Sequence, residues 1–387
     1  MKSLSWFAAL VLLCLAWDLS PPPQGAPLPP KSGARPISRD QAIRRGLRFI
    51  YSTATDPRNF EQWGGDYLWC FYCIASTSAD RELRGLARGM GQERARQWRI
   101  NHSAVPPDAN ADDVAALVFG SYAAECLGVP GGRLKLDLLR AASRFGAADF
   151  LGFDPRQEPP PADIPQSCPK CGAYNARGVR VCRRCGTPLT MSSRYDVFQD
   201  ALITAYSGDA YGVRLGCELE DVLQWLPAMR PYRPGAAGKD PDWDQLAYTV
   251  THVVYVLNGY SRFRLQPSWL PAEFDFLRAN LWRTFDTGDT ETAGEFLDTL
   301  KSFGLTDRDP LIRAGSQFIL SRQNPDGSWG DPNTTDIYAR YHPTWTAIDG
   351  LRDYPWRPEG VTSNEALRRA QGHLAAGPPQ PTLQSDP

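Results

Sequence analysis

Gln323-Asn-Pro-Asp-Gly-Ser-Trp-Gly330 is the stretch whose reading decides the fold. Pro325 pre-sets φ and Gly327 supplies a positive φ without strain, so Asn-Pro-Asp-Gly makes a strong turn. Before it, Asp309 to Arg322 reads as an amphipathic helix. After it comes Tyr341-His-Pro-Thr-Trp-Thr-Ala-Ile-Asp-Gly-Leu351, again with helical character. Gln323 and Trp329 bracket the turn and are placed to staple two helix ends together.

Outward from this turn the chain is helical almost throughout. Periodicity, capping residues and glycine stops give helices over 38–54, 60–77, 80–100, 109–127, 133–151, 194–207, 218–229, 242–258, 271–285, 288–303, 309–322 and 342–354. A short thirteenth is expected over 363–375. Asn110 has the character of an N-cap, with Asp112 and Asp113 in the first turn. Gly128, Gly208, Gly259 and Gly304 stand where C-caps belong.

The stretch 323–330 resembles the QW repeat of squalene–hopene cyclases and related terpenoid cyclases. In that family an outer helix ends, the QxxDGSWG turn follows, and an inner helix of an α/α toroid begins. The resemblance covers about 35 of the 387 residues. It implies an all-α fold, an (α/α)6 toroid over 37–375, and the twelve main helices pair into the six hairpins such a ring needs. It also sets the phase. If 309–322 is outer, the even-numbered helices are inner, and these are rich in Ala, Gly, Tyr and Trp with embedded Asp, His or Glu. The longer connections, 101–108, 152–193, 230–241 and 323–341, then gather on one face, where function commonly sits.

The chemistry of that family does not carry over. Triterpene cyclases of this type protonate an alkene with a DxDD motif, which is absent here, and Asp196-Val-Phe-Gln-Asp200 is no substitute. Prenyltransferase β-subunits hold zinc with Asp, Cys and His in a pattern this chain does not match. Lanthionine cyclases use two Cys and one His, whereas the inner-helix candidates here are histidine-rich.

Composition narrows the class. With 42% hydrophobic residues and 12 Trp, the chain can bury a large core. A net charge of −1 argues against a general nucleic-acid binder. Residues 1–17 carry one positive charge and an apolar run that suits a signal peptide, with cleavage after Ala16, or an N-terminal membrane anchor. Residues 18–36 read as a Pro-rich linker and 376–387 as a disordered tail. Both readings of the N-terminus imply an exported protein.

Cys168-Pro-Lys-Cys171 and Cys182-Arg-Arg-Cys185 form two knuckles, each followed by a glycine that lets backbone amides turn back towards sulfur. This spacing suits a structural zinc ion in a ribbon inserted at about 160–190, with two disulfides as the alternative. Four thiolates close the coordination sphere, so such a zinc is structural rather than catalytic. Cys70, Cys73, Cys126 and Cys217 read as core thiols or as one or two disulfides.

The catalytic candidates are His102, His252 and His342 with Glu295 or Asp298. Three imidazoles meeting across the mouth of a ring would hold a second metal ion, completed by one carboxylate. Alternatively, each histidine serves only a core hydrogen bond. Glu295 and Asp298 lie three apart on one helical face and suit acid–base work better than Asp66, Asp112, Asp113 or Asp200. The resulting expectation is an enzyme acting on a lipid, terpenoid or polysaccharide substrate. Its rival is a scaffold that docks a partner through the ring and the ribbon.

Overall fold

A computed structural model describes residues 37–235 and 243–357. The expected signal peptide or anchor, the Pro-rich linker, the thirteenth helix and the C-terminal tail lie outside the described residues. The architecture is all-α: the described residues form helices and isolated β-bridges, with no strand. In chain order the helices are α1 (Arg39–Ala54), α2 (Pro57–Thr77), α3 (Arg81–Asn101), α4 (Ala111–Cys126), α5 (Arg133–Ala142), α6 (Ala147–Leu151) and α7 (Arg194–Tyr211). They continue with α8 (Leu219–Leu223), α9 (Leu226–Met229), α10 (Trp243–Leu257), α11 (Pro271–Thr287), α12 (Thr290–Ser302), α13 (Pro310–Ser321) and α14 (Tyr338–Leu351).

The caps explain most boundaries. Asn110 and Asp113 form a reciprocal capping box at α4, and Ser193 with Asp196 does the same at α7. Asp56 and Asp289 cap α2 and α12 through their carboxylates. Several boundaries differ from the sequence expectation. Helix α7 runs through Gly208, the expected C-cap, to Tyr211 and ends at Gly212, which takes φ 74°. The helix expected over 133–151 breaks before Gly146 into α5 and α6, and that over 218–229 breaks into α8 and α9, with Pro227 in the first turn of α9. Helix α14 starts at Tyr338 and carries Pro343 inside it, because Asp336 bonds the Tyr338 amide at 2.9 Å and nucleates an earlier turn.

Burial separates the helices into two classes. In α12, twelve of the thirteen residues are buried, whereas α13 buries only Ile312, Gly315, Ser316 and Ile319. Helices α2, α4, α7, α10 and α14 resemble α12, being covered on nearly every side. Helices α3 and α11 resemble α13 and present one apolar stripe. The covered helices pack in cyclic order: α2 on α4, α4 on α7, α7 on α10, α10 on α12, α12 on α14, and α14 back on α2. The contact of α12 with α14 is backbone to backbone. A Cβ at Gly294 would stand 2.3 Å from the Thr346 carbonyl oxygen, and one at Gly350 would stand 2.9 Å from the Gly294 Cα.

The turn at 323–330 ties three helices. Trp329 is fully buried; its Nε1 donates to the Ile319 carbonyl of α13 at 2.7 Å, and its backbone N–H donates to Thr344 Oγ1 of α14 at 2.9 Å. Gln323 Nε2 donates to the Ala42 carbonyl of α1 at 2.8 Å and to the Gly327 carbonyl at 2.9 Å. Gly327 takes φ 95°, the left-handed region the turn requires. Among the described residues no helix is long and apolar enough to cross a membrane.

Candidate active site and a four-cysteine cluster

The covered helices enclose a small cavity of about 40 Å³. It is lined by His252 of α10, Glu295 and Asp298 of α12, His342 and Asp349 of α14, and Arg352 just beyond. Roughly 10–15 Å³ suffices for one water, so the cavity has room for only a few waters. Cyclic packing of helices far apart in sequence is what brings these groups to one place.

Each charged or polar group has a defined partner. His252 Nδ1 lies 2.8 Å from the Tyr248 carbonyl, which places the proton on Nδ1 and leaves Nε2 as an acceptor. Burial pushes this imidazole down to about 4, so it is neutral at pH 7. His342 is the opposite case. Its Nδ1 lies 2.8 Å from Glu291 Oε1, which also accepts from Tyr248 Oη at 2.6 Å. Burial works against the imidazolium, but the charge of Glu291 outweighs it and lifts His342 to about 9. Glu295 accepts from Thr251 Oγ1 at 2.6 Å. Burial pushes its carboxyl up to about 8, so it holds its proton at neutral pH.

A second cluster adjoins the first. Ser261 Oγ reaches both Asp298 oxygens, at 2.9 and 2.8 Å, and Arg352 Nε donates to Asp349 Oδ1 at 2.6 Å. Burial, then the like charge of Asp349, raises Asp298. Ser261 is delivered by a strained turn: Tyr260 and Ser261 take φ 54° and 64°, which non-glycine residues rarely adopt. The Asn258 side chain holds that turn by accepting from the Ser261 N–H at 2.7 Å. Backbone strain next to buried carboxylates is a common property of functional sites.

The structure therefore brings together His252, His342, Glu295 and Asp298, but not His102. His102 caps the end of α3, with Nδ1 3.0 Å from the Trp98 carbonyl and its ring 3.8 Å from the Trp98 ring. The three histidines do not meet. Among the described residues, the four cysteines are the only group of three or more His, Cys, Asp or Glu side chains near enough to share an ion. The second metal ion expected on His102, His252 and His342 with a carboxylate thus has no such cluster to hold it. The physical reason is that Trp98 stacks on the His102 imidazole and keeps it at the end of α3.

Sequence reasoning missed Glu291, Ser261, Asp349 and Arg352. One signal was available: Glu291 lies four residues before Glu295, one helical turn away on the same face of a helix otherwise rich in Thr, Ala, Phe and Leu. Asp66 does not line the cavity but accepts from Tyr341 Oη at 2.7 Å. Cys73 lines it as a buried thiol, and burial raises its pKa well above the ordinary value.

The second site is local. Cys168, Cys171, Cys182 and Cys185 place their sulfurs within 4.8 Å of one another, so they can hold a metal ion. The sulfurs of Cys168 and Cys185 are 3.4 Å apart and those of Cys171 and Cys182 are 3.6 Å apart, far beyond the roughly 2.05 Å of a disulfide. The two knuckles match: Gly172 N–H donates to the Cys168 carbonyl and Gly186 N–H to the Cys182 carbonyl, both at 2.8 Å. Cys70, Cys73, Cys126 and Cys217 are likewise free thiols. Comparison with protein-family models, curated proteins and solved structures finds no match for this chain.

Proposed function

We propose that this chain is an exported enzyme built on an (α/α)6 toroid, whose central cavity carries out acid–base chemistry. The ring reading rests on the cyclic packing order, the two burial classes of helix and the tryptophan-centred turn. The observation that carries the chemistry is a single buried cavity in which a carboxyl is pushed up to about 8 and an imidazole down to about 4. Titratable groups driven apart by their surroundings mark an acid and a base.

In this reading Glu295 donates its proton to the reacting atom of the substrate and becomes a carboxylate. The imidazolium of His342 lies close enough to favour that charge. His252 Nε2 accepts the proton released by the attacking water or by the substrate itself. Asp298, held by Ser261, stands beside them as a second acid. The cavity admits only the reacting end of a longer molecule, so the substrate is a lipid or terpenoid chain, or a polysaccharide, with most of its length outside.

The cysteine cluster suits structural zinc. Tetrahedral thiolates at a Zn–S distance of about 2.3 Å lie roughly 3.8 Å apart, close to the spacing of the free sulfurs. Four sulfur ligands leave no open position, so this zinc supports the inserted segment and takes no part in the reaction.

A screen of the purified chain against glycan and isoprenoid substrates tests the reading. Turnover should fall at least a hundredfold in Glu295→Gln and in His252→Ala, as removal of a general acid or base does. A hit that both variants retain overturns the assignment. The small cavity also favours a second reading, a non-catalytic scaffold that docks a partner through the helical body and the cysteine insert. Capture of a partner that Glu295→Gln binds equally well supports that one.

A further inference from the structure

A pocket of about 510 Å³ opens at the C-terminal ends of α2, α10 and α14. Ser76 from the last turn of α2, Arg84 from the first turn of α3, Ser261 and Arg262 after α10, and Pro355 and Arg357 after α14 line it. Three guanidinium groups thus share one space, and among the described residues no carboxylate lines it. The backbone holds two of these arginines side by side. Phe263 and Arg357 form a parallel β-bridge, and the Arg357 N–H donates to the Arg262 carbonyl at 3.1 Å.

Arg262 is half-buried, with its Cζ 5.2 Å from the centroid of the Tyr72 ring, which anchors the guanidinium. Burial and the like charge of Arg357 both hold it below the ordinary arginine value, and no acidic group among the described residues acts against them. Like charges placed beside each other on bridged backbones are destabilising. An anion between them turns that repulsion into attraction. A cation resting on the carbonyls at a helix end is the ordinary role for such a residue, and Arg84 fills it. Its Nη1 donates to the Ser78 and Ala79 carbonyls at 2.6 and 3.0 Å. Among the described residues the side chains of Arg262 and Arg357 make no such bond, so their N–H groups are left to a ligand.

We propose that this pocket binds a phosphate group, held between Arg262 and Arg357 with Arg84 adding a third positive charge. The planar fork of a guanidinium matches two oxygens of a phosphate at once, and two forks side by side suit its double charge. The phosphate is either the free ion or the head of a monoester whose organic part leaves along Pro355. The pocket shares only Ser261 with the central cavity and stands whether or not the acid–base reading there holds.

Calorimetric titration of the full, metal-loaded chain with inorganic phosphate at pH 7.5 and low salt tests this. Saturable binding is expected, with acetate, which carries a single charge, at least tenfold weaker. Arg262→Gln and Arg357→Gln should each weaken phosphate binding at least tenfold, through the loss of charge-assisted hydrogen bonds, while leaving metal content and circular dichroism unchanged. No saturation by phosphate, equal binding of acetate, or equal binding by both Gln variants overturns the proposal. If a Gln variant fails to fold, competition on the parent chain decides: sulfate should displace phosphate, and failure to do so, or equal displacement by acetate, overturns it. Hexyl phosphate that binds at least tenfold more tightly than inorganic phosphate assigns the group to an ester; equal binding assigns it to the free ion.

Discussion

The four cysteines run from Cys168 to Cys185 and meet through two short knuckles. The groups of the central cavity run from Cys73 to Arg352 and meet only because helices distant in sequence pack around one space. The first site depends on local backbone geometry and can hold a metal ion. The second depends on the whole helical body, and its unusual protonation states depend on burial. A site of the first kind is written in residue spacing; a site of the second kind is written in tertiary structure.

The sharpest way to break that comparison is to remove the metal ligands. Replacing Cys168 and Cys171 with Ser should abolish bound zinc, measured by elemental analysis, and make the segment 152–193 protease-sensitive. A structural zinc contributes roughly 10–16 kcal/mol to the folding of a small module. The helical circular dichroism signal should stay near that of the parent. Its collapse would mean that the two regions fold as one unit.

The next effect belongs to the helical body. Trp329→Ala removes a fully buried indole that bonds α13 and abuts α14. The expected loss is about 3–5 kcal/mol in denaturant unfolding, with zinc content unchanged. A loss of zinc in this variant would erase the distinction from the other side.

The cavity itself should show in the pH dependence of stability. Glu295 and His342 both hold protons more tightly when folded, to about 8 and about 9. A raised pKa gives stability that is complete below the unfolded value and is lost as pH rises through the folded one. The window is thus 4.5 to 8 for Glu295 and 6.5 to 9 for His342. Melting temperature should fall between pH 6.5 and 9, and Glu295→Gln should flatten the part below pH 8, a change on the order of 2 kcal/mol. An identical slope in the variant would place Glu295 in water, not in a dry cavity.

The smallest effect is expected at His102. His102→Ala loses a ring stack and a bond at the end of α3, worth about 0.5–1.5 kcal/mol. The pH profile of stability between 6.5 and 9 should be unchanged. A changed profile would tie His102 electrically to the cavity despite its place against Trp98.

What could be read in advance follows the same division. The helical class was legible because a capping residue such as Asn110 acts within four residues of itself. The cysteine cluster was legible because its spacing is its geometry. His252, His342, Glu295 and Asp298 could be nominated as polar groups on helices that otherwise look buried. His102 could not be separated from them, since nothing local says that Trp98 covers it. Ser261 and Arg352 were illegible for a related reason. One depends on a strained turn after α10 and the other on a salt bridge to Asp349, and neither leaves a pattern in the chain.

The seam between α12 and α14 has its own consequence for mutational scanning. Gly294 neighbours Glu295, and Gly350 neighbours Asp349. Where the two backbones touch, any added side chain must drive the helices apart and carry those carboxylates with it. A saturation scan scored on function would therefore flag both glycines as strongly as the acids. Those two positions would record a steric tolerance of zero, and reading them as reactive groups would misplace the chemistry by one residue on each helix.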